Sequence, residues 1–187
     1  MKNQHARMYR YCISNKSFQP VGKFILAILF LIATQEFSFS QEKAAATPAP
    51  YERFKNLPPF ELKGLDGKTI KRDNLLKNRG TILMFFSPDC HHCLQQMDWM
   101  KQVKEELKPY NFVLATYQPL EDLKGFYQSY KLDEWKNIYI GRDEKYFLPP
   151  YFRIKNLPFI ALYDKKGQLL SVFEGNTKTD LILASFK

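Results

Sequence analysis

The stretch TILMFFSPDCHHC, residues 81–93, decides the fold. Its first part, Thr81–Phe86, is a continuous apolar run of strand length. Such a run predicts a strand that is covered on both faces, as in the centre of a parallel sheet. Ser87, Pro88 and Asp89 then break the strand and lead directly into Cys90.

The residues after Cys90 predict a helix. Apolar side chains recur there at spacings of three or four, namely Leu94, Met97, Met100, Val103 and Leu107. This spacing is typical of a helix with one apolar stripe, which Pro109 ends. Cys90 is therefore expected at the helix N-terminus, where unpaired amides and the helix dipole favour a thiolate. Cys93 lies one turn onward on the same side, close enough to form a disulfide with Cys90.

The elements that surround this motif predict an α/β domain. Further strands are expected at 60–63, 69–71, 112–116, 138–140, 159–163 and 169–173, with helices at 120–132 and from Asn176–Thr177, as the cap, to Phe186. Their order predicts a central mixed sheet that carries helices on both faces and an N-terminal β-hairpin extension.

Composition and charge exclude several classes of protein. The hydrophobic content of 45% is typical of a globular chain. The sequence contains neither a long apolar run nor a fixed-period repeat, so a membrane bundle and a solenoid are not expected. The formal net charge of the whole chain is +9. Once residues 1–40 are set aside, 23 basic and 18 acidic residues remain. Basic and acidic residues mostly alternate, so no nucleic-acid partner is expected.

The N-terminus predicts export. A basic segment ends at Lys23 and the ten apolar residues Phe24–Ala33 follow, which suits a signal peptide over 1–40 cleaved after Ser40. An uncleaved membrane anchor is the alternative. Residues 41–53, rich in Ala and Pro, are expected to form a flexible tether, and 54–187 the folded domain.

Cleavage would leave only two cysteines and two histidines, all within residues 90–93. A structural disulfide is disfavoured because so short a loop gains little stability. Structural zinc needs two separated ligand pairs, and covalent haem needs a histidine where Leu94 stands. A copper-binding or metallochaperone module using Cys90, Cys93 and His92 stays open.

Residues 85–93 at a strand–helix junction, with Leu157-Pro158 before a strand and hairpin, resemble the thioredoxin family. The export signal and N-terminal hairpin are closest to its extracytoplasmic TlpA/ResA-type branch. The resemblance implies that Cys90 is the nucleophile and Cys93 the resolving thiol, with no cofactor beyond a redox-active Cys90–Cys93 disulfide. It also implies a cis peptide bond before Pro158, which packs against the disulfide.

Two departures from the family leave the proton acceptor open. Met84 and Gln96 stand where relatives carry an acid, so Asp89, Asp98, a water or His92 are the candidates. A peroxide-reducing relative on the same fold is a weaker alternative, because Pro88 lies on the wrong side of Ser87 for that signature. A redox-inert binding domain is the remaining alternative.

The direction of electron flow also stays open. A histidine directly before the second cysteine, here His92, resembles the active sites of disulfide oxidants, since it can stabilise the Cys90 thiolate. TlpA/ResA-type proteins, in contrast, commonly reduce their substrates. The expected partners are exported protein thiols or disulfides and a membrane electron donor or acceptor. A periplasmic or otherwise exported monomer is expected.

Overall fold

The computed structural model describes residues 47–187. The strands are β1 (Glu61–Gly64), β2 (Thr69–Lys71), β3 (Thr81–Phe85), β4 (Asn111–Thr116), β5 (Ile138–Arg142), β6 (Phe159–Tyr163) and β7 (Leu169–Glu174). The helices are α1 (Pro50–Arg53), α2 (His91–Gln102), α3 (Lys104–Leu107), α4 (Leu120–Ser129), α5 (Leu148–Phe152) and α6 (Thr179–Ala184). Among the described residues, no helix is long and apolar enough to cross a membrane.

All seven strands form one mixed sheet in the order β2-β1-β5-β4-β3-β6-β7. Strands β3, β4 and β5 run parallel, while β1 pairs antiparallel with β5 and β6 pairs antiparallel with β3. Strands β1 and β2 form the predicted N-terminal hairpin. The predicted α/β, thioredoxin-like fold class is therefore confirmed.

Strand β3 is covered on both faces, as its apolar run predicts. Each of its five residues is buried. Because side chains alternate along a strand, Ile82 and Met84 enter one hydrophobic cluster and Leu83 and Phe85 enter the other. The chain that continues from β3 into α2 therefore starts from a position fixed by packing on both sides of the sheet.

The helix after Cys90 is shorter than its apolar stripe predicts. Val103 leaves helical geometry, with φ of −111° and ψ of 28°, and the chain resumes as the separate helix α3. The stripe nevertheless stays buried at Met97, Met100 and Leu107. The hydrophobic spacing identified the buried face correctly but not the interruption.

Two other helix boundaries differ from prediction. Helix α4 ends at Ser129 because Lys131 adopts a left-handed conformation, with φ of 49°. Helix α6 begins after Lys178, without a side-chain cap. The predicted cap at Asn176–Thr177 is therefore wrong, and these two side chains serve other contacts.

Residues just before the predicted domain boundary at residue 54 already have regular structure. Residues 50–53 of the predicted tether form α1, and the Glu52 carboxylate accepts a hydrogen bond from the Ala49 amide at 2.6 Å. The ring of Tyr51 packs 5.6 Å from that of Phe152. The predicted signal peptide, 1–40, and the first part of the tether lie outside the described residues.

Gly141 permits the hairpin to join the sheet, which gives a testable prediction. A Cβ at this position would lie 2.8 Å from the Leu62 Cβ and from the Lys63 carbonyl oxygen. We expect Gly141→Ala to lower the free energy of unfolding by about 1–3 kcal/mol, measured by urea denaturation, because the crowded strands must separate.

Gly125 in α4 is the matched control, since nothing lies within 4 Å of a Cβ there. Gly125→Ala should raise the free energy of unfolding by about 0.5–1 kcal/mol, because alanine favours a helix. Equal effects of the two substitutions would contradict the role given to Gly141.

Candidate active site

Cys90 lies at the N-terminus of α2. It is the N-cap residue, with φ of −83° and ψ of 114°, and its side chain is partly exposed. Its amide donates to the Ser87 carbonyl at 3.2 Å, and its own carbonyl accepts the first helical bond, from Leu94, at 3.0 Å. The turn after β3 thus presents the Cys90 sulfur where the first amides of a helix have no intrahelical partner.

Cys93 lies in the first turn of α2 and is fully buried. The side chains of Cys90 and Cys93 contact each other, and both are free thiols. Burial raises the pKa of Cys93 to about 12, although a hydrogen bond from the Ser87 amide lowers it in part. The pair therefore combines one accessible sulfur with one that stays protonated and shielded.

This asymmetry predicts selective alkylation of the reduced protein. At pH 8 only on the order of 10⁻⁴ of a thiol with the pKa of Cys93 is ionised, and thiolate is the reactive form. We expect iodoacetamide to modify Cys90 at least a hundredfold faster than Cys93, measured by peptide mass spectrometry. In urea the two rates should converge, and equal rates in the folded protein would contradict the burial of Cys93.

Ser87 connects the cysteine turn to the end of β4. Its buried hydroxyl donates to the Asp89 carboxylate and accepts a bond from the Gln118 amide at 3.0 Å. Asp89 itself is exposed, and its negative charge is one of the smaller causes that raise the pKa of Cys93. Of the candidate proton acceptors, Asp89 therefore acts electrostatically on Cys93.

His92 is exposed but held by a residue that lies 84 positions later. Its ring Nδ1 lies 2.9 Å from the Asn176 Oδ1, and its carbonyl accepts a bond from the Asn176 Nδ2 at 2.7 Å. The rings of His91 and His92 meet edge to face, with centroids 5.8 Å apart. Sequence reasoning assigned Asn176 to a helix cap and so missed this contact, for which the sequence carries no local signal.

Pro158 is buried at the start of β6, beside the cysteine turn. Strand β6 pairs Phe159 with Phe85, so Pro158 lies at the edge of the sheet where β3 ends and the turn to Cys90 begins. The Leu157–Pro158 peptide bond is cis, as the family resemblance implies. Leu157 packs against the hydrophobic cluster that contains Cys93.

Buried, uncharged side chains, Met84 and Gln96, occupy the two positions where relatives carry an acid. Met84 lies in the core. Gln96 uses its whole amide on the backbone of Thr177, donating to the carbonyl at 3.0 Å and accepting from the amide at 2.7 Å. Asp98 lies near Tyr130, whose pKa is raised to about 12 mainly by burial and then by the Asp98 charge.

The alternative copper site receives no support from the geometry. Within residues 47–187, no three His, Cys, Asp or Glu side chains lie close enough together to hold a metal ion. The set of Cys90, Cys93 and His92 is therefore not brought together as ligands, because the His92 ring is directed to Asn176.

Comparison with known proteins identifies a family. The AhpC/TSA family profile matches residues 55–183. No curated protein matches the chain with significance.

Solved structures agree with that match. The chain is 25% identical to the pneumococcal exposed lipoprotein thioredoxin Etrx1 of Streptococcus pneumoniae, with a TM-score of 0.56 over 68% of this chain and 97% of that one. StoA of Bacillus subtilis gives 20% identity and a TM-score of 0.55 over 70% and 98%. A thiol-disulfide oxidoreductase of Bacteroides fragilis gives 19% and 0.54 over 63% and 89%. The predicted resemblance to thioredoxin-like proteins of the TlpA/ResA type is confirmed.

Proposed function

The chain belongs to the AhpC/TSA family, and from this premise we propose that it is an exported thiol–disulfide oxidoreductase that acts through Cys90 and Cys93. One observation carries the proposal: a partly exposed thiol at a helix N-terminus contacts a fully buried one. Such a pair can attack a partner with one sulfur and release it with the other.

In the reducing direction, the Cys90 thiolate attacks one sulfur of a substrate disulfide. A Cys90–substrate disulfide forms, the substrate S–S bond breaks, and the departing substrate thiolate takes a proton from solvent. Cys93 then loses its proton and attacks the Cys90 sulfur. The Cys90–Cys93 disulfide forms, the second substrate thiol leaves, and two electrons have passed to the substrate. The reverse sequence oxidises a substrate dithiol.

The proton on Cys93 has to be removed during the second step, because burial holds its pKa at about 12. Asp89 is the group we assign as acceptor, directly or through water, since its charge acts on Cys93 and its carboxylate is anchored by Ser87. The Ser87 amide, which already donates to the Cys93 sulfur, would stabilise the thiolate as it forms.

The same proposal covers partners and location. Exported protein thiols or disulfides would be the substrates, and a membrane protein would supply or accept the electrons, without a bound cofactor. The basic and apolar N-terminal segments support export, and a similar protein of Streptococcus pneumoniae is an exposed lipoprotein. The protein would act as a monomer in the periplasm or an equivalent compartment, with an uncleaved anchor as the alternative.

The test is equilibration of the full chain with glutathione, in a Cys12→Ser background so that only the Cys90–Cys93 pair reacts. We expect one two-electron transition with a midpoint between roughly −270 and −120 mV, the span of catalytic pairs. The chain should also accelerate the reduction of insulin by dithiothreitol. A pair that never forms a disulfide, or that forms one without any acceleration of exchange, would overturn the proposal.

A further inference from the structure

The orientation of the Asn176 carboxamide follows from chemistry. The His92 carbonyl, 2.7 Å from the Asn176 Nδ2, can only accept a hydrogen bond. The Asn176 nitrogen must therefore face that carbonyl, which directs the Asn176 oxygen to the His92 ring at 2.9 Å. Because an amide oxygen cannot donate, the His92 Nδ1 must carry the hydrogen.

This arrangement fixes the tautomer of His92. When the ring is neutral, its proton lies on Nδ1 and the lone pair on Nε2. When the ring is charged, the bond to the Asn176 oxygen strengthens, because a cationic donor makes a stronger hydrogen bond. In either form, the same contact holds the His92 ring in one orientation.

The segment that carries Asn176 is itself held in place. The neighbouring Thr177 is bound through both backbone groups by the buried Gln96 of α2. On the other side, the Gly175 amide donates to the Pro158 carbonyl at 2.8 Å. Residues 175–177 thus connect the cysteine helix to the cis-proline turn, and Asn176 projects from this connection onto His92.

We propose that Asn176 is a positioning residue that fixes the ring and tautomer of His92 and thereby sets the redox equilibrium of the Cys90–Cys93 pair. The inference rests on the proposed function. A positively charged His92 stabilises the Cys90 thiolate, which favours the dithiol and makes the disulfide a stronger oxidant. Loss of Asn176 leaves the ring free to turn, which weakens this stabilisation and shifts the equilibrium toward the disulfide.

The experiment is a double-mutant cycle on the glutathione equilibrium constant. We expect Asn176→Ala to shift that constant about 3- to 10-fold toward the disulfide, where tenfold equals about 30 mV for two electrons. His92→Gln should give a shift in the same direction. In the His92→Gln background, Asn176→Ala should have a much smaller effect, because only the bond from Asn176 to the carbonyl of residue 92 remains to be lost.

Asn156→Ala is the matched control, since this amide donates to an exposed carboxylate, that of Glu174, at 3.0 Å. It should leave the equilibrium constant unchanged. An equal shift from Asn176→Ala with and without His92 would overturn the inference, since the effect would then be structural.

A second measurement does not depend on redox activity or on a variant that folds. Nitrogen-15 NMR of the wild-type ring at a pH where His92 is neutral should show the hydrogen on Nδ1. A hydrogen on Nε2 would overturn the inference. If the wild-type protein shows the Nδ1 tautomer but exchanges no electrons with glutathione, the positioning contact stands and the proposed function fails.

Discussion

Cys93→Ser is expected to accumulate mixed disulfides between Cys90 and other proteins. The variant keeps the partly exposed Cys90 at the start of α2 but loses the buried thiol that would release the partner. The attack still occurs and the resolution does not, so the intermediate persists. Non-reducing electrophoresis after expression with the Cys12→Ser background should show adduct bands that disappear on reduction.

Cys90→Ser is the matched control and should form no adducts, because Cys93 is shielded and remains protonated. Insulin reduction should fall by at least about 10³-fold in either variant, as for removal of other catalytic nucleophiles. Adducts of equal intensity in the two variants would contradict the order of attack. Their absence from both would argue against protein substrates.

Phe152→Ala is expected to lower the free energy of unfolding by about 3–5 kcal/mol. This side chain is fully buried and its ring lies 4.9 Å from that of Phe159 and 5.0 Å from that of Tyr151. Truncation removes the apolar contacts and leaves a cavity that the stiff sheet can fill only in part. Urea denaturation monitored by circular dichroism measures the loss.

Tyr146→Ala provides the control within the same aromatic segment, Tyr146–Phe152. Tyr146 is 56% exposed and rests edge to face on Tyr117 at 5.9 Å. Its removal should change the free energy of unfolding by less than about 1 kcal/mol. Phe152 belongs to the hydrophobic cluster that covers this face of the sheet, whereas Tyr146 does not. A small effect at Phe152 would contradict the covering role.

The local parts of the fold and the site could be predicted because their causes are local. The apolar run Thr81–Phe86 demanded cover on both faces, and the turn that follows placed Cys90 at a helix N-terminus. The two cysteines are three residues apart, which places their side chains on the same face of the helix. Nothing beyond the chain between residues 81 and 107 was needed for these conclusions.

The rest could not be predicted because it depends on residues far apart in sequence. Asn176 has the residue type of a helix cap, and only the folded chain brings it to His92. The left-handed Lys131 and the break at Val103 are backbone conformations that hydrophobic spacing does not record. Gln96 likewise shows its backbone contacts only after folding.

The burial of Cys93 among core side chains has a thermodynamic consequence. Cys93 belongs to the same hydrophobic cluster as Met97 and Phe126. Oxidation therefore changes a member of the core, and the folded protein cannot be equally stable in its two redox forms unless the core accommodates both alike. Folding and oxidation form a closed thermodynamic cycle. The difference between the unfolding free energies of the two redox forms therefore equals nF, for a two-electron couple, times the difference between the reduction potentials of the folded and the unfolded pair. In the proposed reaction, the driving force offered to a substrate would thus be set in part by side chains that the substrate never touches.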